Sequence, residues 1–267
     1  ATKPSEVYKP GATLDRTLEY GGKTVPIYRD RPLNVFSDVD FIWTGEENEN
    51  QRRLEYLGGE FRTRYGIDVS SFQGEIDWDA VADDNIDFAM VRVGFRGTGT
   101  GSLNTDKYYE QNIRGAMRAG LETGVYFFAQ AVTVEEAIEE ADYVISLLDG
   151  LDINGPVAYD WEMHDSTYRV YGTSPEMATA CAVAFCERIK DAGYTPMVYG
   201  GTYVTYMKYD QGALADYLSW YPEYKSEKSE KLCPTLVYHM DYWQFSSSRA
   251  VAGINGRVDM NIQFIRR

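Results

Sequence analysis

The sequence predicts an α/β fold in which eight strands close into a barrel, with helices mainly after the first five. Three observations carry this. From Tyr65 onward, strand-like and helix-like segments alternate with short Gly or Pro punctuation, the pattern of parallel βαβ units. The early strands are apolar on both faces, as in a sheet covered on both sides. After Tyr203 the helical spacing fades and strands follow one another, and eight strands are enough to close a barrel. An open doubly wound sheet is the alternative. Its dinucleotide-binding form is disfavoured, because no G-x-G-x-x-G opens a helix after a strand.

The elements follow in order. Tyr65–Phe72 reads as the first strand, Trp78–Asp84 as a short helix and Asp87–Phe95 as the second strand. Tyr108–Ala119 has helical spacing and ends at Gly120. Gly124–Gln130 is an apolar strand, and Val134–Leu148 is a helix whose acidic first turn suits the positive end of the helix dipole. Pro156–Met163 is the fourth strand. Pro175–Ala192 is a helix with Pro near its start and Gly193 after its end. Met197–Gly200, Tyr217–Tyr221, Leu236–Phe245 and Arg257–Phe264 complete the strands. Gly97–Gly101 is rich in glycine but lacks a following Lys-Ser/Thr, so it reads as a mobile surface loop rather than a phosphate cradle.

Residues 1–64 differ from the rest. Gly21-Gly22 separates Thr17–Tyr20 from Lys23–Tyr28, a two-residue hairpin signal. Val35, Val39, Phe41 and Trp43 share a parity and suggest a strand over 35–43. Glu46–Leu57 reads as a loop or short helix ended by Gly58-Gly59. The segment is too small for much core of its own, so it is expected to be an accessory extension packed on a catalytic domain spanning 65–267.

Composition narrows the chemistry. The chain has 267 residues, 44% apolar and 25% charged, which is ordinary for a globular protein. No apolar run approaches a membrane span. A net charge of −15 repels phosphate backbones, so nucleic acid is not an expected partner. Only two His (His164 and His239) and three Cys leave little for a metal site, and none is expected. The same scarcity argues against Ser–His–Asp or Cys–His catalysis. Cys181, Cys186 and Cys233 have no framework spacing and read as buried small hydrophobes. The chain starts at Ala1, as after removal of a leader or trimming, and nothing decides between these.

Carboxylates must therefore do the chemistry, and in such a barrel they belong at the C-terminal ends of the strands. Asp160 and Glu162 are two apart late in the fourth strand, so they project to one face about 6.7 Å apart along the chain, with Trp161 facing away. Crowding two carboxylates in a dry cleft raises one pKa and leaves an acid able to donate a proton. A solvated pair at a strand end is the plainer alternative. Asp68 sits among apolar residues in the first strand, where an unpaired carboxylate is costly. Asp259 opens the last strand, and taken alone it reads as a salt-bridge partner of Arg257. Tyrosine is abundant, at 22 residues. Tyr126, Tyr159, Tyr199, Trp220, Tyr221, Tyr242 and Trp243 lie in or near strand ends. Each alone suits the core, yet together they suit a sugar-binding groove.

At these residues the sequence resembles the family 25 glycoside hydrolases, the Chalaropsis-type lysozymes or N-acetylmuramidases. The matching elements are Gly66–Ser70, Phe72-Gln73-Gly74, Ile76-Asp77-Trp78, Val91-Arg92, Gly124–Phe128, Tyr159–Glu162, Val198-Tyr199-Gly200, Trp243–Ser246 and Val258–Asn261. They occur in the family's order and span roughly 65–267. The resemblance implies a TIM-like (β/α)5(β)3 barrel and hydrolysis of the β-1,4 bond from N-acetylmuramic acid to N-acetylglucosamine in bacterial peptidoglycan. It carries the acidic site over to Asp68, Asp160, Glu162 and Asp259; Glu162 is the expected general acid and Asp160 is expected to assist the substrate acetamido group, with Asp160 or Asp68 as a direct nucleophile the rival mechanism. Tyr126, Tyr199, Trp243, Tyr159 and Tyr221 are the expected sugar contacts. A secreted or wall-associated monomer without a cofactor is expected. A chitinase-like hydrolase and a non-catalytic glycan-binding barrel are the rival readings.

Overall fold

Alternating apolar strands and capped helices produce a closed barrel in the computed structural model, which describes residues 1–45 and 52–267. The barrel strands are β5 (Phe61–Val69), β6 (Phe88–Arg96), β8 (Glu122–Ala129), β9 (Val157–Trp161), β10 (Pro196–Tyr199), β11 (Leu218–Pro222), β12 (Tyr242–Arg249) and β13 (Val258–Arg266). They pair in that order, and β13 returns to β5 to close the ring. Pairing is parallel from β5 to β12, while β13 runs antiparallel to both of its neighbours. Helices α2 (Trp78–Asp83), α3 (Tyr109–Arg118), α4 (Val134–Leu147), α5 (Pro175–Asp191) and α6 (Thr202–Met207) follow the first five barrel strands. The arrangement is the (β/α)5(β)3 barrel expected.

Local chemistry sets the helix ends. Asp77, Thr133 and Ser174 each accept a first-turn backbone N–H of α2, α4 and α5. Pro175 starts α5, and Gly193 adopts a positive φ of 91° just past its C-cap. Small residues, among them Ala178, Cys181 and Ala182, let α5 lie close on the sheet. All three cysteines are buried free thiols.

Strand parity divides the core into two layers. The outer layer lies between strands and helices and contains Ile67, Val91, Phe127, Trp161 and Phe185. The inner layer fills the barrel floor with Phe88, Met90, Ala158, Met197 and Tyr242. Gly66 is required here, because a Cβ at that position would come within 2.2 Å of the Phe88 ring. The floor is therefore solid, and only the upper end, where the parallel strands finish, is open.

The extension folds as two hairpins. Short helix α1 (Pro4–Val7) precedes β1 (Leu14–Tyr20) and β2 (Lys23–Tyr28), which join through Gly21 and Gly22, both at positive φ as a two-residue hairpin turn requires. The second hairpin pairs β3 (Phe41–Thr44) with β4 (Arg53–Tyr56). This corrects two expectations. The strand over 35–43 shrinks to its end, because Asp38–Asp40 forms a 3-10 turn closed by the Ser37–Asp40 hydrogen bonds. The proposed loop or helix contributes a strand at Arg53–Tyr56, and positions 46–51 lie outside the described residues. The first barrel strand starts at Phe61 rather than Tyr65, so the boundary drawn at 64/65 falls inside it. Gly97–Gly101 forms the turn joining β6 to a short strand β7 (Leu103–Thr105), and Arg96 donates to Gly101 O at 2.8 Å.

Arg31 ties the extension to the barrel. It is 6% exposed and donates to Leu214 O and Tyr217 O, each at 2.8 Å, and to Gln211 Oε1 at 3.2 Å. Arg31→Met keeps the stem and leaves those acceptors without their donor. Stability to urea should fall by about 3 kcal/mol, with activity per folded molecule unchanged. A midpoint equal to that of the parent would remove this anchoring role.

Candidate active site

A cleft of about 320 Å³ opens at the upper end of the barrel. Asp68, Arg92, Tyr126, Asp160, Tyr199, Trp220 and Gln244 enter it from successive parallel strands, and Asp259 enters from the start of β13. Within strands these residues share the inward parity of the barrel floor. Asp259 stands directly opposite Asp68 in the antiparallel register. Glu162 follows β9 at the mouth and keeps 26% of its side chain exposed, whereas Asp160 is 5% exposed.

Asp68 is the best-held carboxylate. Its Oδ2 accepts from Gln244 Nε2 at 2.9 Å and from Asn261 Nδ2 at 2.8 Å. Those amides are themselves oriented: Trp220 Nε1 donates to Asn261 Oδ1 at 2.8 Å, and the Tyr199 and Tyr224 hydroxyls donate to Gln244 Oε1 at 3.1 and 3.2 Å. Each amide oxygen is thus occupied and each NH2 is aimed at Asp68. Burial outweighs the two amide donors, so the Asp68 carboxyl is raised, though the donors and Asp259 favour its charged form. Asp259, hydrogen-bonded to Asp68, is pushed up to about 8 by burial and by that neighbouring charge. The shared proton therefore resides on Asp259.

Asp160 lies deeper, with Oδ1 buried and without a hydrogen-bond partner. Burial first, then the charge of Glu162, pushes its pKa well up. Glu162 Oε2 lies 3.1 Å from His164 Nε2, and its backbone carbonyl accepts from Gln130 Nε2 at 2.8 Å. Arg92 is held by Asp106 at 2.8 Å and stacks beneath Phe72, whose ring is 85% exposed on the cleft rim. Burial and the nearby carboxylates keep the Tyr126 and Tyr199 phenols protonated. Among the described residues, no three His, Cys, Asp or Glu side chains are gathered in a way that would hold a metal ion.

The structure gathers Asp68, Asp160, Glu162, Asp259, Tyr126 and Tyr199 around one space. It does not bring Tyr159, Tyr221 and Trp243 there. All three have outward parity and belong to the outer core. Tyr159 packs on Phe185, Tyr221 hydrogen-bonds Thr202, and Trp243 donates to Glu223 O and packs on Phe41 of the extension. The salt bridge considered for Asp259 is also absent, since Arg257 is exposed and Asp259 faces Asp68. Trp220, one of the aromatics expected in a sugar-binding groove, does line the cleft, whereas Gln244, Asn261, Tyr224, Phe72 and His164 are residues that the sequence reading does not single out for the site. Parity alone finds Gln244, one position from the outward Trp243.

A (β/α)5(β)3 barrel with carboxylic acids and aromatic side chains at its open end is the architecture of a glycoside hydrolase. Residues 67–254 match the glycosyl hydrolases family 25, and the chain belongs to that family. It is similar to the autolytic lysozyme of Clostridium acetobutylicum, at 26% identity over 73% of this chain and 54% of that protein. Lysozyme M1 of Streptomyces globisporus is 27% identical over 73% of this chain and 66% of its own length. The chain thus spans about half to two thirds of these relatives. The crystal structure of a bacterial lysozyme from Streptomyces coelicolor aligns with a TM-score of 0.59 at 25% identity, covering 74% of this chain and 90% of that one.

The raised pKa of Asp259 has a defined consequence. A carboxyl whose folded pKa exceeds its unfolded value binds its proton more tightly when folded. Its contribution is full below about pH 4 and is lost as pH rises through about 8. Asp259→Asn should therefore gain stability relative to the parent as pH rises across that window. Urea midpoints of both proteins at pH 4, 6 and 8 check this, and parallel curves would show that Asp259 does not carry the proton.

Proposed function

We propose that this chain is an N-acetylmuramidase, acting as a secreted or wall-associated monomer on bacterial peptidoglycan. It cleaves the β-1,4 bond from N-acetylmuramic acid to N-acetylglucosamine with retention of configuration, assisted by the substrate acetamido group. The observation that carries the reading is the Asp160–Glu162 pair at the end of β9 in a family 25 barrel, with one buried carboxylate oxygen of Asp160 unpartnered.

The pair holds its proton on the buried member, Asp160, because burial and the charge of Glu162 penalise its ionised form. An acetamide N–H donated to Asp160 Oδ1 would favour its ionised form. The proton then moves to Glu162 at the mouth, where it faces the leaving oxygen. Glu162 protonates that oxygen as the bond breaks. The acetamido carbonyl attacks the anomeric carbon, and ionised Asp160 steadies the positive oxazolinium-like ring. Water, deprotonated by Glu162, opens the ring from the original face, so the two inversions give retention. Asp68 and Asp259 surround the pair with a second, fixed charge arrangement. Tyr126 and Tyr199 line the acetamido side, and Phe72 offers an exposed ring for sugar stacking.

Glu162→Gln keeps the shape and cannot donate, so turnover on purified peptidoglycan should fall roughly 10²–10⁴-fold with glycan binding retained. A loss below about tenfold would move the acid elsewhere. Mass analysis of the reducing ends identifies the bond, and preferred cleavage of N-acetylglucosamine polymers would favour the chitinase-like reading instead.

Asp160→Asn should lower turnover far more than binding, since its interaction strengthens only as charge develops. Proton NMR of the first product should show the β-anomer. A covalent sugar trapped on Asp160 or Asp68 with a fluorinated substrate would replace acetamido participation by a direct nucleophile.

A further inference from the structure

A second cavity, of about 430 Å³, lies outside the barrel where the β1–β2 hairpin packs on α5 and α6. The partly exposed rings of Tyr8, Tyr28 and Tyr206 line it, together with Lys23 and Lys208. Lys208 is 9% exposed. A buried ammonium is ordinarily paired with a carboxylate. The Lys208 ammonium instead donates to a neutral acceptor, Thr173 O at 2.6 Å. It has three N–H donors. Burial, and then the like charge of Lys23, press its pKa down.

Two carboxylates also line the cavity, and neither supplies the missing counter-charge. Asp210 accepts from the backbone N–H groups of Gly11, Gly212 and Ala213. Glu176 is exposed in the first turn of α5. Two cations and a tyrosine-lined wall therefore converge on one space, a combination suited to a ring-shaped ligand carrying an anion.

We propose that this cavity is a second glycan site, which takes an amino sugar bearing a carboxylate. The anion sits on Lys208 and Lys23, and the ring lies against the tyrosines. The sugar assignment rests on the peptidoglycan reading above, whereas the anion preference rests on the lysines alone. The site's position suits an anchor. Thr173 ends the loop that starts at Glu162, so cavity and cleft flank the same segment. Holding one stretch of wall polymer here raises the local concentration of a neighbouring stretch at the cleft.

The test uses the full chain carrying Glu162→Gln, titrated with N-acetylmuramic acid and with N-acetylglucosamine, which lacks the lactyl carboxylate. Ring NMR signals of Tyr8 and Tyr28 report the cavity, and those of Tyr126 and Tyr199 report the cleft. N-acetylmuramic acid should shift the Tyr8 and Tyr28 signals with an affinity about tenfold or more above that of N-acetylglucosamine. Adding Lys208→Met should remove that preference, and the exposed Lys23→Ala should weaken it should the first variant fold poorly. Equal affinity for the two sugars, no effect of either lysine substitution, or shifts confined to Tyr126 and Tyr199 would overturn the proposal. Inorganic phosphate binding more tightly than N-acetylmuramic acid would also overturn it, pointing to a phosphate-bearing polymer. Failure of the muramidase reading shows separately, as absent turnover of peptidoglycan by the unsubstituted protein.

Discussion

Closure of the barrel by an antiparallel last strand is the constraint on which the site depends. β13 inserts between β12 and β5, and its register sets Asp259 opposite Asp68 and Asn261 opposite Gly66. A parallel strand would have carried its inward residues up from the floor. The antiparallel one begins at the open end, so Asp259 and Asn261 reach the cleft from the strand's first turns. Gly66 leaves room for Phe88 on the floor, and the plugged floor keeps water to one side. Asp68 then sits where two oriented amides can hold it, and the second carboxyl pair at the end of β9 completes the ring of acids.

The barrel was legible because its signals are periodic and local. Capping residues, Gly193 and the β/α alternation place the five helices of the first five units within a residue or two, except α6, whose single short span Thr202–Met207 is too brief to show a period. The acids were legible because a carboxylate late in an apolar strand is conspicuous. The aromatic wall was read less well. Nearness to a strand end does not fix direction, since successive side chains point to opposite faces. Asp160 facing inward already sends Tyr159 outward, and the inward Trp220 sends Tyr221 outward. Trp243 is large and flanks Gln244, so the less conspicuous residue is the one that touches Asp68. Phe72 and His164 sit on connections between elements, where no period reveals direction.

The extension is explained by what the barrel leaves uncovered. The last three strands have no crossover helices, so their outer faces need another cover. The second hairpin and the chain leading into it supply it, while the first hairpin packs on α5 and α6. Phe41 packs on Trp243 and Phe264, Trp43 on Phe245, and Phe36 on Phe264, while Phe61 stacks on His239. The chain around Leu33 bridges to Tyr238. The outward aromatics of β12 are thus the floor on which the extension rests, which accounts for aromatic residues that the sugar-binding expectation had claimed. Among the described residues, the cleft takes no lining residue before Asp68.

Four carboxyl groups in one cleft would repel each other and an anionic glycan if all were ionised. The geometry resolves this by pairing unlike environments. Asp68 has two amide donors and a protonated neighbour, so the negative charge of the first pair settles on it and the proton on Asp259. In the second pair burial and the charge of Glu162 push Asp160 well up, so the buried member holds the proton, while Glu162 lies at the mouth beside His164. A proton on each of Asp259 and Asp160 lowers the negative charge the cleft presents at neutral pH. The first proton is fixed by protein donors and stays where it is. The second is held by burial and by the neighbouring Glu162 carboxylate, with one Asp160 oxygen left unpartnered, so it is the one that a single substrate N–H can release to the mouth of the cleft.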